Sequence, residues 1–459
     1  MTSTTATHTR HIRRPRAIGL LAAAVLIVVA TYGAAALRAP ARPAAALADP
    51  ATPAPIPLPG NAQALPAIGS IAQIDHSINA WTTNLAANPK DFISATNLAT
   101  LYHARGRLTG DLDDQTRALQ AARVAESIAP KETAAASLEA SILYTIHDFS
   151  GSMAIADRLY RANPADLGSL ATRADAELEL GRLTAARADY TIVARGASGP
   201  AIDVRLARLA YLTGDAARAL ALARSAREGA TDLDTDLGFY DYAVGEYARL
   251  SGDGTAARAA YAAAVELRPT DFGSLVGLAK VDAAAGDVAT AIAELEQASA
   301  IVPQPETLTL LGDLRALGGD AKGAADAYAT VRAIRRLSTL QGTVYDRQLL
   351  QFELDHGGAT PAILAAADSG LASRTDAAGY DLASWAAYRL GQFDLAERDI
   401  DAALGAGIRD ARILEHAGAI AIARGDRAHG RELLAKALAL GPALDPLATR
   451  EAASLIAGS

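Results

Sequence analysis

Two stretches of the chain show the same pattern 34 residues apart: GDGTAARAAYAAAVELRP at residues 252–269 and GDVATAIAELEQASAIVP at residues 286–303. Each opens with Gly-Asp, has alanine five positions after the glycine, and ends in proline seventeen positions after it. Glycine closes a helix readily because it tolerates a left-handed backbone, and aspartate caps the start of the next helix. Each stretch therefore predicts the turn and second helix of a helical hairpin, with proline separating it from the next hairpin.

The same frame extends over most of the chain. Glycine returns every 33 to 38 residues, aspartate follows it in five cases, and a small residue stands five positions after it in every case. The glycines of this series are Gly181, Gly214, Gly252, Gly286, Gly319, Gly357, Gly391 and Gly425. Upstream, His147 falls in the glycine position, Gly106 begins a longer unit, and residues 70–88 match half of a unit. We therefore expect about ten helical hairpins.

A unit of about 34 residues with small residues, an aromatic and a proline at set offsets resembles the tetratricopeptide repeat family. Tyrosine stands nine positions after the glycine at Tyr190, Tyr261 and Tyr328. The resemblance covers residues 70–459 and implies an all-α fold, a right-handed α-solenoid of about ten hairpins that ends in a capping helix. It also implies that the first helix of each hairpin lines a concave groove.

The composition excludes several classes of function. Hydrophobic residues make up 51% of the chain and aromatic residues only 5%, which fits small side chains packed between close helices. The formal charge is −8 overall and −14 from Asp49 onward, because six arginines and no acid precede that point. A negative body repels phosphate backbones, so we expect no nucleic-acid partner. The absence of cysteine excludes disulfides and cysteine-bound metals.

The first 69 residues follow a different pattern. Residues 17–37 carry no charge and, as a helix, would span the ~30 Å of a bilayer core. Four arginines precede this segment, so the positive-inside rule predicts a cytoplasmic tail at residues 1–16 and an extracytoplasmic body at residues 70–459. Residues 38–69 are rich in proline and alanine and predict an extended linker. The alternative is a signal peptide whose cleavage releases a secreted protein.

The sequence contains none of the motifs that indicate catalysis. It has no HExxH, no Gly-x-Ser-x-Gly, no phosphate-binding loop ending in Gly-Lys-Ser/Thr and no dinucleotide fingerprint. Of its eight histidines, only His8 and His11 lie within one helical turn of each other, and no acid stands near them to complete a metal site. We therefore predict that the protein is not an enzyme and requires neither a cofactor nor a metal.

Aromatic and charged side chains one helical turn apart are candidates for holding a partner in the groove, because they share one face of a first helix. The candidate groove residues are Tyr242, Glu246, Arg249, Lys280, Asp381, Trp385 and Tyr388. An aromatic ring beside a charge suits the binding of a peptide. The alternative for the aromatics is that they fill the core between hairpins.

These features together predict a protein-binding scaffold or adaptor on the extracytoplasmic side of a membrane. A long concave surface suits extended peptides or partner subunits. The alternative is a cell-envelope glycan-binding or polysaccharide-export accessory factor, in which Trp385 and the tyrosines would stack on sugar rings.

Overall fold

The computed structural model describes residues 71–231, 237–341 and 346–458. These residues form 22 α-helices and one short 3₁₀ helix, with no β-strand among them. The predicted cytoplasmic tail, membrane segment and linker lie outside the described residues. No helix in the described part is both long and apolar enough to cross a membrane.

The helices follow one another through short connections. In chain order they are α1 (Ile71–Ala87), α2 (Phe92–Thr109), α3 (Leu112–Ile128), α4 (Thr133–Thr145), α5 (Phe149–Ala162), α6 (Leu167–Glu179), α7 (Leu183–Gly196), α8 (Pro200–Leu212), α9 (Ala216–Gly229), α10 (Leu237–Leu250), α11 (Gly254–Leu267), α12 (Phe272–Ala284), α13 (Val288–Ile301), α14 (Pro305–Leu317), α15 (Ala321–Gln341), α16 (Asp346–Asp355), α17 (Pro361–Leu371), α18 (Ala377–Arg389), α19 (Phe393–Leu404), α20 (Ala411–Ala423), α21 (Arg427–Ala439), the 3₁₀ helix (Gly441–Ala443) and α22 (Pro446–Ala457).

The helices from α2 to α21 pack as ten hairpins, each an even-numbered helix against the odd-numbered helix that follows. Helix α1 precedes the first hairpin and α22 follows the last, so the expected hairpin number, half-unit and terminal helix are confirmed. Along most of the chain consecutive even-numbered helices also contact one another, which places them on the inner side of the curve. We call the even-numbered helices inner and the odd-numbered helices outer.

The turns form as the repeated Gly-Asp predicts. All eight glycines of the series have a positive φ, between 73° and 100°. The aspartate that follows caps the outer helix; the Asp253 carboxylate, for example, accepts a hydrogen bond of 3.0 Å from the Ala256 backbone N–H. His147 takes the same conformation without being glycine, with φ 66°, which confirms its place in the frame.

Gly106 does not form the turn that the sequence predicts. Helix α2 continues past it to Thr109 and ends at Gly110, which has φ 66° and is followed by the capping residue Asp111. A Cβ atom on Gly106 would lie 2.5 Å from the Gln115 amide nitrogen, so this glycine instead lets α3 approach α2 closely. The predicted turn was therefore four residues too early.

Small residues five positions after the turn let the outer helices approach their neighbours. They are fully buried at Ala186, Ala219, Ala257, Ala291 and Ala396. Ala362 is an exception and is exposed, because Thr360 rather than the residue after Gly357 caps α17. This two-residue delay places Leu364 in the packing position, where it is buried.

The tyrosines of the frame fill the space between neighbouring inner helices. A Cβ atom on Gly245 would lie 2.6 Å from the Tyr261 ring, and one on Gly277 would clash with it, so glycine is required on both sides. The Tyr261 hydroxyl donates to Glu246, fifteen residues earlier. Tyr190 and Tyr328 repeat this bond with acids at the same separation, so it belongs to the hairpin design.

Candidate functional site

The candidate groove residues lie on three inner helices, α10, α12 and α18. Those on α10 form a buried charged cluster. The Arg249 guanidinium donates to the Glu246 carboxylate at 3.1 Å, and the Tyr261 hydroxyl donates to the same carboxylate. Burial alone would raise the pKa of Glu246, but the positive charges of Arg249 and Lys280 lower it below its usual value.

Tyr242 lies beside this cluster and is only 4% exposed. Its ring packs against Tyr261, with 6.0 Å between the ring centroids. Its hydroxyl has no hydrogen-bond partner among the described residues. Its ring therefore serves the core between hairpins.

On α18, Trp385 is 2% exposed and lies in a stack of nearly parallel rings. Its indole is 4.0 Å from the His416 ring and 4.8 Å from the Tyr388 ring, centroid to centroid. The indole N–H donates to Asp355 at 2.9 Å. This stack joins α18 to α16 and α20.

Asp381 anchors the histidine of this stack. His416 Nδ1 lies 2.8 Å from an Asp381 carboxylate oxygen, and both side chains are buried. Burial alone would lower the pKa of His416, but the negative charge of Asp381 outweighs it and raises the pKa to about 9. The pair is therefore an ion pair at neutral pH.

Five of the seven candidates are thus closed to solvent in this structure, rather than open on a groove: Tyr242, Glu246, Arg249, Asp381 and Trp385. For Tyr242 and Trp385 the packing follows the alternative reading, in which the aromatics fill the core. Lys280 and Tyr388 remain half-buried. A role of these residues in binding a partner stays a prediction.

The chain also meets itself again after six hairpins. The loop before α18 lies against the turn after α6, where Arg374 donates to the Glu179 backbone carbonyl at 3.1 Å and to its carboxylate at 3.2 Å. The Thr375 hydroxyl donates to the Leu180 carbonyl at 3.4 Å. A Cβ atom on Gly181 would clash with Thr375, so the two backbones touch.

The next two hairpins repeat this contact in the same register. The Tyr211 hydroxyl at the end of α8 donates to Asp410, the capping residue of α20, at 2.8 Å. Arg249 at the end of α10 donates to the Pro442 carbonyl before α22 at 3.3 Å. We call the Arg374–Glu179, Tyr211–Asp410 and Arg249–Pro442 contacts together the seam between the two superhelical turns.

Sequence reasoning missed the seam because its partners lie between 193 and 199 residues apart. A repeat of about 34 residues predicts which helices are neighbours and leaves the pitch of the superhelix open. One signal was present. Three positions before the turn glycine, long polar side chains stand at Tyr211 and Arg249. This signal does not locate the seam by itself, because Leu178 stands there at the first contact, and Tyr388 stands there before Gly391, whose Cβ would meet nothing within 4 Å.

Part of the inner surface stays open and charged. The Lys280 amine lies 2.7 Å from the Glu306 carboxylate, with 19% and 34% of the two side chains exposed. Arg412 is 44% exposed in its side chain, although the rest of α20 up to Ile420 is buried. Sequence reasoning had not singled out Glu306 or Arg412.

The Arg412 guanidinium lies 3.8 Å from the Asp445 carboxylate, and the negative charges of Asp355, Glu306 and Asp410 also act on it. The enclosing protein lowers the pKa of Arg412, but Asp445, Asp355 and Glu306 together raise it above its usual value. Asp355 is itself exposed. Lys280, Glu306, Asp355 and Arg412 therefore form an accessible surface of mixed charge, which we call the open inner face. Within the described residues, no group of histidines and acids is arranged to hold a metal.

Neither a protein-family model nor a curated protein matches this sequence. Solved structures of other proteins resemble the structure of this chain. The type IV pilus biogenesis factor PilW is 17% identical, with 43% of this chain and 91% of PilW covered, at a TM-score of 0.38. A human IFIT1 dimer with PPP-AAAA is 14% identical, with 80% and 87% covered, at 0.44. Yeast Tom70 is 12% identical, with 84% and 93% covered, at 0.34.

At these identities and TM-scores the likenesses carry no argument about function. The fold is assigned from the hairpins observed in this chain, and a function has to be argued from its own side chains.

Proposed function

We propose that this chain is a non-catalytic scaffold that holds an extended peptide segment of a protein partner against the open inner face. Residues 17–37 hold it at a membrane, and the hairpins lie on the extracytoplasmic side. The partner is a protein rather than a nucleic acid, because the body of the chain is acidic.

The observation that carries the proposal is that charged side chains remain accessible in an inner layer that is otherwise closed. Arg412 and Lys280 supply positive charge, and Glu306 and Asp355 supply negative charge. A surface with both signs selects a partner by the order of its charges, and it disfavours partners that place like charges together. Nearly all described residues belong to hairpins, which is the architecture of a binding surface.

Site-specific photo-crosslinking tests where the partner lies. A benzophenone amino acid replaces Gln351, a half-buried residue of α16 on the same inner row as Lys280. The matched position is Arg187, which is exposed on the outer helix α7. We expect a discrete crosslinked protein from position 351 and none from position 187. The same product from both positions, or from position 187 alone, would contradict the proposal.

The glycan-binding alternative has weaker support. Sugar recognition by Trp385 requires an open ring face, and this indole is 2% exposed. Tyr388 is half-buried and stacks on the same indole. A sugar in this structure would therefore have to displace a packed ring.

A further inference from the structure

The seam joins the two superhelical turns through polar contacts at the ends of helices and through packing of Tyr211 and Leu212 against an apolar cluster of the second turn. Its donors are the guanidinium groups of Arg374 and Arg249 and the Tyr211 hydroxyl. Within a turn, by contrast, neighbouring hairpins share apolar cores, such as the one formed by Leu275, Leu295 and Leu311. Burial of apolar surface is the main stabilising contribution in folded proteins, whereas a hydrogen bond exchanges one polar partner for another. Because part of the seam is polar and water can replace its hydrogen bonds, we expect the seam to separate more readily than the apolar cores within a turn.

Seam donors occur where one turn lies on another. Cβ atoms on Gly181 and Gly214 would clash with the second turn, and one on Gly252 would lie 3.3 Å from the Ala439 carbonyl. Cβ atoms on Gly286 and Gly319, in the next two hairpins, would have no neighbour within 4 Å. The polar side chains at the ends of α8 and α10 thus match the stacked hairpins, as expected of a specific contact.

The inner helices beside the seam carry buried charges. Arg205 on α8 is 0% exposed and pairs with Asp175 on α6 at 2.9 Å. Glu179 receives hydrogen bonds from Tyr144 and Arg208 in addition to Arg374. These groups resemble those of the open inner face in chemistry and differ in access.

We propose that the seam is a gate: the two superhelical turns separate at the Arg374–Glu179, Tyr211–Asp410 and Arg249–Pro442 contacts and admit the partner segment to the inner helices α6, α8 and α10. This inference rests on the proposed scaffold function. The hairpins keep their apolar cores as the gate opens, so opening is a rigid movement of one turn against the other. The partner replaces the seam contacts with contacts of its own.

Distances between two spin labels report whether the two superhelical turns separate at the seam, and the measurement needs no partner. The chain has no cysteine, so labels attach only to introduced cysteines at Arg218→Cys and Arg409→Cys, two exposed positions on opposite sides of the seam. In the full-length chain in detergent, pulsed electron–electron double resonance should show a major population at a short label-to-label distance and a minor population at a longer one. Combining Arg374→Gln with Tyr211→Phe should raise the longer population by about tenfold or more, because hydrogen bonds to charged groups are lost.

The gate is overturned if the double variant keeps the wild-type helix content and shows the wild-type distance distribution. If the double variant does not fold, the single variant Tyr211→Phe provides the test, because it removes one hydroxyl and leaves the ring packing in place. An unchanged distribution in that folded variant overturns the gate as well.

A disulfide across the seam links the gate to the partner. A Cβ atom on Gly254 would lie 3.6 Å from the Pro442 ring, so Gly254→Cys with Pro442→Cys places two thiols within bonding reach. Oxidation should abolish partner crosslinking from a benzophenone amino acid at Arg208, a half-buried position of α8 behind the seam, and should leave crosslinking from position 351 on the open inner face in place. Reduction should restore crosslinking from position 208, and each single-cysteine variant should crosslink as the unlocked chain does. Equal crosslinking from position 208 in the oxidised and reduced forms overturns the gate. Crosslinking that is absent from the wild type counts against the scaffold function, while the spin-label distances still decide the gate.

Discussion

At the residue scale, the inner layer is stabilised by charges buried with their partners. Glu246, Arg249 and Tyr261 satisfy one another, as do Asp381 and His416. A buried charge that loses its partner is costly, because solvent cannot replace the missing contact. These residues therefore respond strongly to small changes.

Tyr261→Phe removes the hydroxyl that donates to Glu246 and leaves the ring in place. We expect the free energy of unfolding to fall by about 1.5–3 kcal/mol, as is usual for a hydrogen bond to a buried charge. Urea unfolding followed by circular dichroism measures the change. Tyr328→Phe is the matched control and should cost less, because Tyr328 is only half-buried and water can replace its bond to Asp313, whereas Tyr261 is fully buried. Equal losses in the two variants would argue against this account of the tyrosine bond.

His416 should make the C-terminal hairpins less stable at alkaline pH. Its pKa is about 9 in the folded chain, against about 6.5 unfolded, so its contribution is complete below pH 6.5 and is lost as the pH rises through 9. The full loss is about 3 kcal/mol. Unfolding of the wild type and of His416→Gln at pH 6 and pH 9.5 measures it. The wild type should lose more stability over this range than the variant, and a parallel loss in both would exclude the Asp381–His416 ion pair.

At the element scale, the Gly-Asp turns connect the two helices of a hairpin and also set how closely the two superhelical turns approach. Gly214 does both, since its φ is 85° and the Gly407 backbone lies directly against it. Gly391 has φ 73° and no neighbour that a Cβ would meet within 4 Å. Comparing substitutions at Gly214 and Gly391 therefore distinguishes the cost of backbone strain from the cost of disturbing the contact across the seam.

Gly391→Ala should therefore cost only about 1–2 kcal/mol, the strain of a left-handed backbone. Gly214→Ala should cost more, because its new methyl group also pushes against Gly407, and it should increase the longer spin-label distance across the seam. Thermal unfolding together with that distance measures both effects. Equal costs and equal distances in the two variants would mean that the second turn does not lie on Gly214.

The hairpins were predictable from the sequence because their signals are local. A left-handed glycine, a capping aspartate and a small residue each act within one turn of helix, so His147 could be placed although it is not glycine. Gly106 and Ala362 were misread where extra residues lengthen the connection, because the cap then moves to Asp111 or Thr360. The seam was not predictable, because the partners of Glu179, Tyr211 and Arg249 come from a part of the chain almost 200 residues away.

At the scale of the whole molecule, the superhelix meets itself at the seam and leaves one charged surface, the open inner face, accessible. Arg249 contributes to this closure through the seam, Asp381 and Trp385 pack between neighbouring hairpins, and Lys280 contributes to the open inner face. The membrane segment and the extracytoplasmic position come from the sequence alone and stay predictions.

Deleting residues 17–37 should release the chain from the membrane fraction, because this uncharged segment is the one that the sequence predicts to span the bilayer. In the intact chain, protease added to the extracytoplasmic side should digest the hairpins and leave a tag on the N-terminal tail protected. Fractionation and protease protection measure these results. A wild-type chain that lacks its first residues would instead support cleavage of a signal peptide.

The open inner face is proposed to bind a protein partner. A quantitative affinity pull-down of the tagged full-length chain measures this binding. Lys280→Ala with Arg412→Ala removes two cations from that face, and Arg187→Ala with Arg224→Ala removes two from the exposed outer helices α7 and α9. The account predicts that a partner recovered by the wild type is retained by the outer variant and lost by the inner one, with both folded. Equal recovery by the two variants, or loss from the outer variant alone, would contradict it.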